Sequence, residues 1–125
     1  GVNGIEGSMS AAIGYASGEG NMPVYLVIGD LSFFYDVSGL WSAANTNLRI
    51  LLVNDGIGSI FTRLAMKQTE TVKNYVAESH GFKAEGICQS YGIDYKTARD
   101  GEIPSTIWEW YFSDEKGARL LEITV

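Results

Sequence analysis

The chain predicts an α/β fold, a doubly wound and mainly parallel sheet with helices on both faces, and three observations carry that expectation. Residues 24–28 are a short continuous apolar run rich in β-branched and aromatic side chains, and 48–53 repeat the apolar-strand pattern, as in strands buried on both faces. Each run stops at turn residues, Gly29-Asp30 after the first and Asn54-Asp55-Gly56 after the second. Between them Phe34, Val37, Leu40 and Trp41 recur at helical spacing, so the order strand, helix, strand is that of a parallel βαβ unit.

The remaining elements follow in chain order. Residues 8–16 form a helix whose small side chains let a neighbour approach closely, and Gly18-Glu19-Gly20-Asn21 is a loop. Pro23 introduces the first strand, and Ser32 is placed to cap a helix over 33–44. Beyond the second strand, 69–77 and 83–91 are expected as helices and 93–96 as a short strand. A helix over 104–112 opens on a first-turn proline, and 120–125 closes the chain as a strand. There is no internal repeat and no low-complexity tract.

With 125 residues, 46% of them hydrophobic, the material suffices for one core, and a single domain over 1–125 is the expectation. No apolar run reaches the roughly 18 residues that a membrane span needs, and no signal-peptide pattern opens the chain. A soluble protein is therefore expected. The single Cys88 has no disulfide partner and no thiolate companion for a metal cage, so a reducing compartment, the cytoplasm, is the simpler assignment. A net charge of −6 with only nine Lys and Arg argues against nucleic-acid binding. The chain opens without Met on a glycine-studded segment, as if cut from a longer polypeptide.

Ligands of open parallel sheets bind beyond the carboxyl ends of the strands. Asp30 and Asp55 each follow a predicted strand, so adjacent strands would bring both carboxylates to one end of the sheet. Two such carboxylates repel unless a cation joins them, and hard oxygen ligands suit Mg²⁺ or Ca²⁺. A divalent ion would also let an acidic chain accept a diphosphate, whose remaining charge the backbone N–H groups of Ser32-Phe33-Phe34 can meet at a helix start. Gly29, Gly56 and Gly58 permit tight turns and close backbone approach. The competing account makes each Asp a helix cap or an Asx-turn former, and both accounts stand at this point.

Other polar residues are assigned to ordinary roles. Asp36 falls mid-helix on a solvated face, His80 lies between Ser79 and Gly81 in a surface loop, and Cys88 is a half-buried helix residue. Trp41, Trp108 and Trp110 are core or interface material. No Ser-His-Asp set or C-x-x-C pair supports nucleophilic or zinc chemistry.

Gly29-Asp30 followed by Asn54-Asp55 resembles the thiamine-diphosphate fingerprint, in which Gly-Asp and a later Asn pair hold metal and diphosphate. The longer strings, residues 28–36 (IGDLSFFYD) and 53–61 (VNDGIGSIF), are similar to one branch of that superfamily, the 2-succinyl-5-enolpyruvyl-6-hydroxy-3-cyclohexene-1-carboxylate synthases, or MenD family. Leu31 is informative, because most relatives carry Gly there and this branch carries Leu. The opening Gly1-Val2-Asn3-Gly4-Ile5-Glu6-Gly7 is similar to the family's glycine-rich segment, and the likeness is close over about the first half of the chain.

The resemblance implies thiamine diphosphate and Mg²⁺ (or Mn²⁺) as cofactors. Asp30 and Asp55 would be side-chain metal ligands and Ile57 would offer its backbone carbonyl. Ser32 and Phe33 would bind diphosphate with Gly29 lining the turn. Ile5 would approach the cofactor rings, and Ile60 and Phe61 would line the apolar substrate side. Asp55 departs from the family's usual Asn, but a carboxylate is an equally competent hard ligand. Ile57 and Ser59 stand where glycines are common. The implied reaction decarboxylates 2-oxoglutarate and joins the remaining unit to isochorismate, in an enzyme of menaquinone biosynthesis that is a homo-oligomer. The activating glutamate belongs to another domain, usually of a partner subunit, and no residue here fits that role. Missing N-terminal domains are therefore implied, and the 125-residue chain alone is expected to be inactive. An acetohydroxyacid-synthase relative and a non-catalytic diphosphate-binding module are the alternatives.

Overall fold

The computed structural model describes residues 5–59, 70 and 79–125. Helix α1 (Ser8–Gly18) precedes strand β1 (Val24–Gly29), helix α2 (Asp30–Tyr35), a 3₁₀ helix (Val37–Ser42) and strand β2 (Leu48–Asn54). Helix α3 (Glu85–Tyr91), strand β3 (Asp94–Arg99), helix α4 (Ser105–Tyr111) and strand β4 (Arg119–Thr124) follow. The strands lie in the order β1-β2-β4-β3, and every neighbouring pair is parallel. The expected parallel βαβ unit is present, with Val24 opposite Leu48 and Gly29 opposite Val53.

Alternation along β2 and β4 divides the interior into two layers. Leu48, Ile50, Leu52 and Leu120 face a core shared with Met9, Ile13, Phe33, Leu40 and Cys88, on the side of α1, α2 and α3. Leu121 and Ile123 face the opposite way, against Tyr111, Ile107 and Trp108 of α4. Helices thus cover both faces, because side chains of both parities along these strands are apolar.

The helix between β1 and β2 departs from expectation. The helix expected over 33–44 begins earlier, at Asp30, and breaks at Asp36 into the 3₁₀ segment. Ser32 is therefore inside the first turn and does not cap it; Gly29 holds the cap position in an extended conformation. The break has a tertiary cause. Asp36 keeps a partly exposed position but is also tied to α1: its Oδ2 accepts the Ser10 N–H at 2.8 Å and its Oδ1 accepts the Ser10 hydroxyl. It supplies from outside the helix the cap that Gly7, with no side chain, cannot give α1. Ser10 also lies so close to Gly39 that a Cβ there would meet its Oγ at 2.6 Å, which is the close approach the small residues of α1 allow. The helix expected over 69–77 lies outside the described residues except for Glu70, which is helical.

The Ser10 hydroxyl and N–H hold the Asp36 carboxyl below the usual carboxylate range. A carboxyl whose folded value is depressed contributes stability above its unfolded value and loses it as pH falls through the folded value. Asp36→Ala is expected to cost about 1 kcal/mol at neutral pH, the ordinary worth of a cap. Denaturation at pH 7 and again below pH 3 checks this; the difference between variant and parent should shrink in acid.

Buried polar groups are tied to backbone. Arg49 and Arg119, register partners on β2 and β4, are fully buried on the α4 side. Arg49 donates to the carbonyls of Gly117 and Glu115, and Arg119 to the Trp110 carbonyl, the Ser113 hydroxyl and Glu115. Together they clamp the segment between α4 and β4. On the other face Glu122 is 0% exposed and accepts three hydrogen bonds. They come from the Asn54 side-chain amide at 2.6 Å, the Ala84 N–H at 3.1 Å and the Tyr95 hydroxyl at 2.6 Å. Cys88 is fully buried, where half-burial was expected, and burial with Glu122 nearby pushes its thiol up to about 12, so it is chemically inert.

Candidate functional site

Because β1 and β2 run parallel in register, the residues that follow them emerge side by side at the carboxyl end of the sheet. Asp30 is the first residue of α2 and is 3% exposed. Its Oδ1 accepts the Leu31 N–H at 2.7 Å; its Oδ2 accepts the Gly56 N–H at 2.9 Å and faces His80 Nε2 at 3.2 Å. An ionised carboxylate has about four acceptor positions, so one remains for another partner. Asp55 accepts the Ile57 N–H at 3.0 Å and the Ser59 N–H at 3.2 Å, an Asx-type turn that folds the loop around its carboxylate.

The two carboxyls belong to one short loop system, since the N–H of Gly56, next in chain to Asp55, donates to Asp30 Oδ2. Burial pushes the Asp55 carboxyl up, but hydrogen bonds from the Ser59 hydroxyl, the Ile57 and Ser59 N–H groups and the Asp30 carboxyl outweigh it, leaving the group below its ordinary value. Neighbouring carboxylates repel unless a proton or a cation lies between them. Among the described residues no three His, Cys, Asp or Glu side chains gather into a metal cage. The donor set is two carboxylates beside an open loop, which suits a hard cation that keeps water or phosphate oxygens in its remaining positions, as Mg²⁺ does.

The loop between the acids is shaped by glycine. Gly56 and Gly58 have φ of 71° and 57°, the left-handed region that favours glycine. At Gly58 a Cβ would also lie 2.3 Å from Leu31 Cδ1 and 2.8 Å from Leu31 Cγ. Leu31 therefore occupies the space above Gly58, an apolar contact that joins the α2 start to the β2 loop beside the Asp30–Gly56 hydrogen bond.

Of the other expected site residues, Gly29 caps α2, Ser32 is half-buried in its first turn, and Phe33 is buried with its ring edge-on to Phe34. Ile5 is half-buried ahead of α1, and the Ile57 side chain is exposed. Ile60 and Phe61 lie outside the described residues.

Three residues of this site were not among those expected. His80 does not sit in a surface loop; its side chain is 9% exposed and pairs with Asp30. Asn54 accepts the Gly56 N–H on its Oδ1 at 3.1 Å and donates from Nδ2 to the Phe82 carbonyl and to Glu122. Glu122 thereby connects the sheet interior to the Asp55 loop. The available signal for Glu122 was a lone charge among Leu120, Leu121 and Ile123 in a buried strand; His80 carried none, since its partners are distant in sequence.

A parallel sheet whose adjacent strands deliver two acids and a glycine loop to one end has the arrangement in which open α/β sheets take a ligand. The chain belongs to the family described as thiamine pyrophosphate enzyme, C-terminal TPP binding domain, which matches residues 1–123. It is 38% identical over 98% of its length to the 2-succinyl-5-enolpyruvyl-6-hydroxy-3-cyclohexene-1-carboxylate synthase of Christiangramia forsetii, and 42% identical over 82% of its length to that of Bacteroides thetaiotaomicron. It covers 22% and 19% of those proteins, about a fifth of their length. Among solved structures, benzoylformate decarboxylase from Polynucleobacter necessarius superposes with a TM-score of 0.77 at 23% identity, over 92% of this chain and 22% of that one. The 4-hydroxybenzoylformate decarboxylase of Rhodococcus jostii gives 0.76 at 21% identity, over 94% and 22%. These two share the fold. Among the described residues no helix is long and apolar enough to cross a membrane.

Proposed function

We propose that this chain is the diphosphate- and metal-binding part of a thiamine-diphosphate-dependent synthase of menaquinone biosynthesis, which decarboxylates 2-oxoglutarate and adds the resulting succinyl semialdehyde unit to isochorismate. The observation that carries the metal assignment is the placement of Asp30 and Asp55 directly after β1 and at the end of β2, adjacent parallel strands, with the Gly56 N–H donating to Asp30 Oδ2. The names of the relatives support the substrate assignment.

Asp30 and Asp55 hold Mg²⁺ (or Mn²⁺) through side-chain oxygens, with the Ile57 carbonyl as a third donor. The Asx turn seen at Asp55 is compatible with this role, because amide donors fix a carboxylate without exhausting its acceptor positions. Gly29, Ser32 and Phe33 receive the diphosphate at the start of α2, Ile5 approaches the cofactor rings, and Ile60 with Phe61 lines the substrate side. When bound, thiamine diphosphate supplies the electron sink for decarboxylation and carbon–carbon bond formation. The residues of this chain position its charged end and neutralise it. The ring-binding half of the site and the activating glutamate come from other domains, in a homo-oligomer of the intact cytoplasmic enzyme.

The test is product analysis with the intact protein, thiamine diphosphate, Mg²⁺, 2-oxoglutarate and isochorismate. Formation of the succinyl adduct supports the assignment, whereas pyruvate-derived acetohydroxy acids would favour the other decarboxylating branch. The isolated chain is expected to show no turnover and only weak cofactor binding, since a cofactor held at one end keeps its rotational freedom and its contact with water. Turnover by the purified 125-residue chain would overturn that division of the site.

A further inference from the structure

His80 is bound to the acidic loop at several points. Its backbone N–H donates to the Gly56 carbonyl at 2.7 Å, and the Phe82 carbonyl two residues on accepts the Asn54 side chain at 2.9 Å. Its ring stacks on Phe82, with centroids 5.2 Å apart and planes 20° from parallel, and meets Phe34 edge-on at 5.7 Å. The ring nitrogens are then distinguishable. The Phe82 N–H donates to Nδ1 at 3.3 Å, so Nδ1 is an acceptor and the ring carries its proton on Nε2. That Nε2–H points at Asp30 Oδ2, 3.2 Å away.

We propose that His80 is a positioning residue for metal binding: its Nε2–H, in the tautomer fixed by the Phe82 amide, orients the Asp30 carboxylate so that a free lone pair faces the cation. The inference rests on Asp30 being a metal ligand. Among the described residues two donors, Gly56 N–H and His80 Nε2–H, converge on Oδ2, while Oδ1 accepts the adjacent Leu31 N–H. The carboxylate is thus held in a fixed rotation with its less occupied oxygen available. Hydrogen bonds behind a ligand commonly set metal affinity in this way, and their loss costs about 10–100-fold. The single-proton tautomer matters because a donor on Nε2 leaves the Asp30 charge in place for the cation.

Two substitutions separate the donor from the ring. His80→Phe keeps an aromatic ring between Phe34 and Phe82 but has no N–H for Asp30. His80→Gln loses the ring and places an amide nitrogen near the former Nε2. Mn²⁺ binding to the intact protein at saturating thiamine diphosphate, read from the electron paramagnetic resonance of free Mn²⁺, is the measurement, with Asp30→Ala alongside. His80→Phe is expected to weaken Mn²⁺ binding by about 10–100-fold, and His80→Gln to recover most of that loss. Parental Mn²⁺ affinity in His80→Phe, or equal weakness in His80→Phe and His80→Gln, overturns the donor role. If Asp30→Ala loses Mn²⁺ and His80→Phe does not, only the role of His80 falls. If the parent fails to bind Mn²⁺, or Asp30→Ala binds it as the parent does, the metal site itself falls and His80 with it.

Discussion

Asp30→Ala in the intact protein is expected to weaken Mg²⁺-dependent binding of thiamine diphosphate by at least about 100-fold, because losing a ligand should exceed the 10–100-fold that supporting contacts cost. Asp30 is nearly fully buried, and three donors hold its carboxylate. Alanine removes a charge that the proposed cation would need and leaves the Gly56 N–H with Asn54 Oδ1 alone, so the loop loses its polar tie to α2 as well. Excess Mg²⁺ should restore binding only in part, since added metal can raise occupancy but cannot rebuild the loop. Asp55→Ala should act in the same direction, and Asp55→Asn should keep much of the affinity because an amide oxygen is still a hard ligand. Calorimetric titration of thiamine diphosphate at several Mg²⁺ concentrations checks all three. Parental binding in both alanine variants would leave turn formation as the whole role of these carboxylates.

Glu122→Ala is expected to cost roughly 3–5 kcal/mol of stability, among the larger effects a single substitution produces. The wild-type carboxylate satisfies three buried donors at once, from β2, β3 and the start of α3. Alanine takes this acceptor from the Ala84 N–H and the Tyr95 hydroxyl, leaves the Asn54 amide with the Phe82 carbonyl alone, and opens a cavity between them. Glu122→Gln keeps the volume but offers a donor face where acceptors are required, so an intermediate loss is expected. Urea denaturation followed by tryptophan emission measures both, and a loss below about 1 kcal/mol for Glu122→Ala would show that water replaces the carboxylate without penalty.

How much of this was legible in the sequence depended on whether the signal was local. Strand β1 declares itself as an unbroken apolar run and β2 as one interrupted by Arg49 alone, so their parallel pairing and the shared sheet end for Asp30 and Asp55 followed directly. Strand β3 was expected over 93–96 but runs Asp94–Arg99, because its exposed Asp94, Lys96 and Arg99 carry no apolar run to mark its end. The break at Asp36 was invisible because its cause is Ser10, on another helix. His80 was assigned to the surface on the strength of flanking Ser and Gly, which describe a loop and not its depth. The ligand roles of Asp55, Ile57, Ser32 and Phe33 came from a family resemblance, which names the residues but not the contacts that hold them.

The contact between Leu31 and Gly58 makes these two positions a single steric variable. With Leu at 31, alanine at 58 faces both a left-handed φ and a collision with Cγ, so two separate barriers oppose it. Replacing Leu31 by Gly removes only the second barrier and leaves a methyl-sized void or larger above the loop. Changing either position alone in this chain is therefore not a self-contained substitution. After Leu31→Gly the loop following β2 must be recut to fill the gap, and Leu at 31 is accommodated only while position 58 is bare of side chain.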